Sequence, residues 1–214
     1  MSSNTSDYLR SLLDKIKNID YIKPEDIPNI ELYMDQVTTF MDEHLESTKR
    51  YDSDKILTKT MINNYAKNDL LPPPVKKKYS KEHMLLLIFI YYFKNILSIT
   101  DIQNLLTPLT EKYFNATDGM NLQDIYSEVF SFEKEQADRL VKDILVEYKK
   151  SFTSFSDAPE EDKDFLHLFS FICMLSFDVY VKKLLIEKLV DDIASSNSNK
   201  KEDSKKEPKK DKAK

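Results

Sequence analysis

A chain of 214 residues with a single glycine has almost none of the turn chemistry that sheets and tight hairpins require. Such a chain is expected to be all-α. Hydrophobic residues make up 41% of it, which excludes wholesale disorder and suffices for one good-sized core or two small domains. One glycine also removes the P-loop and the dinucleotide fingerprint, each of which needs several.

Catalytic and metal chemistry find little support. Cys173 is the only cysteine, so no intramolecular disulfide and no cysteine-built zinc site can form, which fits a reducing compartment. It lies in the apolar run FLHLFSFICMLSFDVYV, where a small buried filler is expected. His44, His83 and His167 are far apart and show no ligand spacing. The acids of Asp157–Asp164 lead into a helix, where they suit the positive end of its dipole, and no His, Ser or Cys stands beside them in a catalytic spacing. The expectation is no enzyme, no metal and no cofactor. Residues 1–10 lack a basic start followed by an apolar stretch, and the runs Met84–Phe93 and Phe165–Val181 are short for a membrane span. A soluble protein of the cytoplasm, with no membrane partner, is expected.

Apolar spacing divides the chain into consecutive regions. Residues 1–26 are expected to form an N-terminal helix over 7–19 and a linker. Residues 27–114 hold a helix over Ile30–Leu45, a polar loop over Glu46–Lys55, a short helix over Thr58–Lys67, and two more starting after Ser80 and Ser98, with Pro108 marking a kink or break. Residues 115–193 comprise two long amphipathic stretches, Leu122–Phe155 and Pro159–Ile193, dense in phenylalanine and tyrosine. These rings are expected in the core, with an apolar ligand cavity or a dimer interface as alternatives. Residues 194–214 lack apolar periodicity and are expected to be a disordered basic tail.

Charge is concentrated at one place. Residues 55–83 carry seven lysines against Asp69 and Glu82, a local balance of +5 in a chain whose total is −5. Within them the helix Thr58–Lys67 sorts at about 100° per residue into an apolar side and a hydrogen-bonding side of Lys59, Thr60, Asn63, Asn64 and Lys67. A solvated helix face is the usual meaning of such a split. Lysines beside Asn and Thr also suit phosphates and base edges, and the neighbouring Lys76, Lys77 and Lys78 strengthen that sense. Pro72-Pro73-Pro74 stiffens the exit into an extended arm.

The run Thr58-x-x-Met61-Ile62-x-Asn64-Tyr65-x-Lys67-x-x-Leu70-Leu71-Pro72-Pro73, followed by a basic turn and Tyr79-Ser80-x-Glu82-His83-Met84, resembles the start of a MerR-type winged helix-turn-helix domain. Leu97-Ser98-Ile99-x-Asp101-Ile102 resembles that family's step into its last helix. More closely, Leu32–Val37 with Leu57–Asn64 and Pro72–Tyr79 is similar to the bacterial family called domain of unknown function 1836 (DUF1836), regarded as MerR-like. The resemblance implies a DNA-binding transcriptional regulator. Lys59, Thr60, Asn63, Asn64 and Lys67 would face the groove and backbone of double-stranded DNA. Val75–Tyr79 would be a short wing, with Lys76, Lys77 and Lys78 on phosphates and Tyr79 packed at its base. A homodimer is expected, residues 115–193 serving to dimerise or to sense a small-molecule effector. The chain departs from the family in the dozen residues of Glu46–Leu57, in Asp69 where the family has glycine, and in Asn63 where it has arginine. The alternative is an all-helical protein-interaction module with a degenerate winged-helix domain.

Overall fold

The computed structural model describes residues 9–14, 16 and 21–206. Of the helix expected over 7–19, residues 9–14 and 16 are helical, and the other positions lie outside the described residues. The chain groups into two compact units, each built from two stretches: residues 1–27 with 123–183, and residues 28–122 with 184–214. Helices dominate, and the only sheet among the described residues is a two-stranded antiparallel pair.

In the unit that carries the basic segment, β1 (Leu32–Tyr33) leads directly into α1 (Met34–Leu45). The expected helix start at Ile30 is thus four residues early. Tyr33 N–H donates to the Gln36 side chain at 2.8 Å, satisfying a donor that a helix start leaves open. A 3₁₀ turn (Glu46–Thr48) begins the long connection to α2 (Lys59–Lys67). β2 (Lys78–Tyr79) precedes α3 (Lys81–Phe93), and α4 (Ile99–Tyr113) follows. Ser98 Oγ accepts from Asp101 N–H, and Asp101 accepts from Ser98 N–H, both at 3.1 Å, which closes the start of α4 reciprocally. Pro108 stays inside α4 without ending it.

α3 is the axle of this unit. Every residue from Met84 to Ile90 is buried, so α3 is apolar all round, as a helix enclosed by neighbours must be. Val37, Met41 and Leu45 of α1, Ile62 and Tyr65 of α2, and Ile102 and Leu106 of α4 are buried in the same unit. The connection over residues 46–58 is held to α3. Lys94 Nζ donates to the Ile56 carbonyl at 2.6 Å and sits 4.8 Å from the Tyr91 ring centre, while the Tyr91 hydroxyl hydrogen-bonds Thr48 Oγ. Burial lowers the Lys94 pKa below its ordinary value.

The other unit contains α5 (Leu122–Ser131), α6 (Glu133–Ser151) and the first part of α7 (Glu160–Lys206). The single stretch expected over 122–155 is broken at Phe132. Tyr126 is fully buried, and its hydroxyl donates to the Ile22 carbonyl at 2.7 Å, tying the N-terminal segment to α5. Phe171 is buried, its ring centre 5.3 Å from that of half-buried Tyr148.

Three expectations are corrected here. Most of the aromatic stripe is not core: Phe132, Phe152, Phe155, Phe165, Phe169 and Phe177 are exposed. Helical spacing marks a face as apolar without saying that anything covers it. Cys173 is exposed too, on the outer side of α7. Finally, α7 continues to Lys206, through residues expected to be disordered from 194 onward. A helix already nucleated gains one hydrogen bond per added residue, Ser195 and Ser196 donate back to the Asp191 and Asp192 carbonyls, and no glycine or proline intervenes before Pro208. Residues 207–214 of the expected tail lie outside the described residues.

Candidate nucleic-acid interface

The sequence of α2 decides where it starts, which side it buries and where it stops. Thr58 is extended (φ −93°, ψ 157°), and its hydroxyl accepts from Met61 N–H at 3.2 Å, so the helix begins at the residue that its cap predicts. Ile62 and Tyr65 face inward, and burial raises the Tyr65 pKa. At the other end Leu70 N–H and Leu71 N–H both donate to the Tyr65 carbonyl, at 2.9 and 3.2 Å, and both leucines are buried. The left-handed residue that permits this turn is Asp69 (φ 56°), not Asn68, which stays at φ −100°. Gln103 of α4 donates to the Asn68 carbonyl at 3.1 Å, fastening the end of α2 to its neighbour.

With both ends pinned, Lys59, Thr60, Asn63, Asn64 and Lys67 lie on the exposed side of a nine-residue helix, about 13 Å long at 1.5 Å per residue. Beyond the triple proline the chain makes a two-residue hairpin. Val75 and Lys78 exchange backbone hydrogen bonds at 3.1 and 2.9 Å, and Lys76 (φ 52°) and Lys77 (φ 66°) form its tip, both exposed. Two successive positive φ values are those of the primed turn that favours Asn-Gly. Two lysines there carry backbone strain, because a side chain in the left-handed region costs about 1–2 kcal/mol.

The hairpin continues into β2, where Tyr33 is paired with Lys78 and Leu32 with Tyr79. Tyr79 is buried, its ring edge-on to His83 at 5.5 Å, and burial raises its pKa. It therefore anchors the base of the hairpin and offers no free face. His83 Nδ1 accepts from Ser80 N–H at 3.0 Å, which leaves the proton of the neutral ring on Nε2. That Nε2 is buried toward the Pro72 and Pro73 carbonyls without a well-formed hydrogen bond. Burial is the largest influence on this ring and lowers its pKa, against smaller upward pulls from those carbonyls and from Glu31.

Two of the lysines are engaged by acids that spacing alone does not couple to them. Lys59 pairs with Asp35 in the first turn of α1, and Lys78 Nζ lies 3.7 Å from Glu31 and 5.6 Å from the Tyr33 ring centre. Residues 31–35 thus sit between the start of α2 and the hairpin. Exposed pairs of this kind contribute only about 0–1 kcal/mol and exchange readily. A groove of about 420 Å³ lies alongside, lined by Ile30, Leu32 and Phe40 and rimmed by Asp35 and Glu43. Among the described residues no group of His, Cys, Asp and Glu is placed to hold a metal ion, and no helix is long and apolar enough to cross a membrane.

The family described as "Domain of unknown function (DUF1836)" matches residues 22–129, half of the chain. No curated protein and no solved structure matches it.

Proposed function

This chain belongs to the DUF1836 family, and we propose that it is a MerR-like, DNA-binding transcriptional regulator acting as a homodimer. α2 enters the major groove, whose width of about 12 Å admits one helix. Thr60, Asn63 and Asn64 face base edges, Lys59 and Lys67 flank them toward phosphates, and the Lys76–Lys77 tip grips the adjoining backbone. The observation that carries this reading is the exposure of one face of ammonium, hydroxyl and amide donors on a helix fastened at both ends, in the same unit as a strained two-lysine hairpin.

Genomic fragments retained by the purified protein and sequenced supply the operator. On that duplex, Lys59→Ala and Asn63→Ala are expected to weaken binding while leaving thermal unfolding nearly unchanged, since both side chains are exposed. Binding at parental strength by both variants refutes the assignment of this face.

The pairing of Lys59 and Lys78 with acids, together with the apolar groove lined by Ile30, Leu32 and Phe40, supports a second reading, a protein-interaction module. Salt separates the two. Phosphate contacts give a log–log slope of about −0.9 per contact, whereas a flat dependence, or no duplex binding, favours the module.

A further inference from the structure

We propose that the groove along α1 docks a basic amphipathic helix of another protein. Its volume is about 420 Å³, with buried Leu32 and Phe40 as its floor and Pro28 and Ile30 beside them. Ile30 is 66% exposed, so its own unit leaves most of that side chain uncovered. Asp35, Thr39 and Glu43 also line the groove and follow one another at four-residue steps, which puts them along one edge of α1. Eight residues separate Asp35 from Glu43, a span of about 12 Å at 1.5 Å per residue. Among the described residues no lysine or arginine lines the groove.

Shape and charge together choose the occupant. The volume lies in the range of roughly 300–1,000 Å³ that binding sites occupy, and an apolar floor two helical turns long suits a helix laid along it. Acids repel phosphates, so the groove does not extend the proposed contact with DNA. An acidic partner is repelled in the same way. A helix with two basic residues about seven or eight positions apart matches the span from Asp35 to Glu43. An apolar residue midway between them falls on the same side of that helix and meets Leu32 and Phe40.

One of the two carboxylates is shared with the helix next door. Asp35 pairs with Lys59 of α2, so a basic residue entering at Asp35 competes with Lys59. Because such coupling is reciprocal, occupancy of the groove frees Lys59. That release bears on nucleic acid only under the DNA reading, whereas the docking itself does not depend on it.

The probe is a synthetic helix carrying Lys-x-x-Leu-x-x-x-Lys on an alanine and glutamine background, read by fluorescence anisotropy against the full chain without nucleic acid. It is expected to bind roughly ten-fold tighter than the same helix with glutamate for both lysines, and roughly ten-fold tighter than the one with glutamine for the leucine. Asp35→Asn with Glu43→Gln should abolish the preference for lysine over glutamate, and Ile30→Ser should weaken the lysine peptide. Melting transitions should stay nearly unchanged, since all three side chains are exposed. Lys59→Ala removes the competitor for Asp35 and should tighten the lysine peptide about two- to five-fold. The peptide changes leave the chain untouched, so they carry the test if a variant fails to fold. Equal binding of the three peptides, or a preference that survives loss of both carboxylates, overturns the proposal, and no tightening with Lys59→Ala overturns the competition at Asp35. If no peptide binds and Ile30→Ser instead lowers the mass of the eluting chain by light scattering, the occupant is a second copy and the proposal falls.

Discussion

Replacing Lys77 by glycine moves two measurements in opposite directions. Lys77 holds φ 66° at the second position of the hairpin tip, with Val75 and Lys78 paired across it. A side chain there costs about 1–2 kcal/mol, which glycine removes. Glycine also loses more freedom on folding, roughly 0.5–1 kcal/mol relative to alanine. The net expectation is a stabilisation of about 0.5–1 kcal/mol, or about 1–4 °C in melting temperature for a chain of this size. The same change deletes one exposed ammonium, so the salt slope of duplex binding should become shallower by about 0.9. Lys77→Ala is the control: it deletes the charge and keeps the strain, so it should reproduce the shallower slope with little gain in melting temperature. Calorimetry and fluorescence anisotropy across a salt series read both quantities. A lower melting temperature for Lys77→Gly refutes the strain argument. An unchanged slope in both variants removes the hairpin tip from the interface.

Three further outcomes follow from particular contacts. His83 binds fewer protons folded than unfolded because burial lowers its pKa from 6.5. Stability is therefore complete above the unfolded value and falls as pH drops below about 6.5; melts from pH 7 to 5 should show the decline, and His83→Gln should flatten it. Asp35→Asn frees Lys59 from its ion pair, so duplex binding should tighten at low salt, with a slope steeper by up to about 0.9; an unchanged slope would place Lys59 off the backbone. Tyr126→Phe strands the buried Ile22 carbonyl, and denaturant unfolding should show a loss of about 1–3 kcal/mol.

What could be read from residue order divides along the range of the forces involved. The caps at Thr58 and Ser98 are contacts three residues long, and the helices they start are legible from sequence alone. The buried run in α3 is equally plain, because seven consecutive apolar residues have no outer face to give to water. The pairing of Leu32 with Tyr79 spans nearly fifty residues, and two-residue strands leave no alternation to detect. The Lys76–Lys77 tip escapes for another reason: a primed turn announces itself by Asn-Gly, and neither is present. The two-stretch make-up of each unit depends on contacts between distant segments such as Tyr126 and Ile22, which no local period encodes. At the candidate interface the five outward residues of α2 follow from helical spacing. The acids Asp35 and Glu31 that meet Lys59 and Lys78 do not, since they arrive from another element.

These ion pairs bear on how the proposed regulator would hold DNA. With Lys59 and Lys78 engaged by acids, Lys67, Lys76 and Lys77 are the exposed lysines of the proposed face that have no ion pair among the described residues. Three phosphate contacts made without breaking an ion pair give a slope of only about −2.7, and Lys59 adds a fourth only by leaving Asp35, so binding is weak and salt-labile. An acidic chain of net charge −5 adds long-range repulsion to that. One copy is therefore poorly equipped to occupy a site at moderate ionic strength. Joining two copies doubles the contacts and makes the second engagement intramolecular, at a high effective concentration. On this account dimerisation and DNA binding through the α2 face are energetically coupled. A variant that separates the two copies of the proposed homodimer without touching a lysine of the interface should halve the salt slope and weaken duplex binding by far more than any single lysine substitution. If it dissociates the dimer yet leaves the slope unchanged, each copy binds alone and the coupling does not exist.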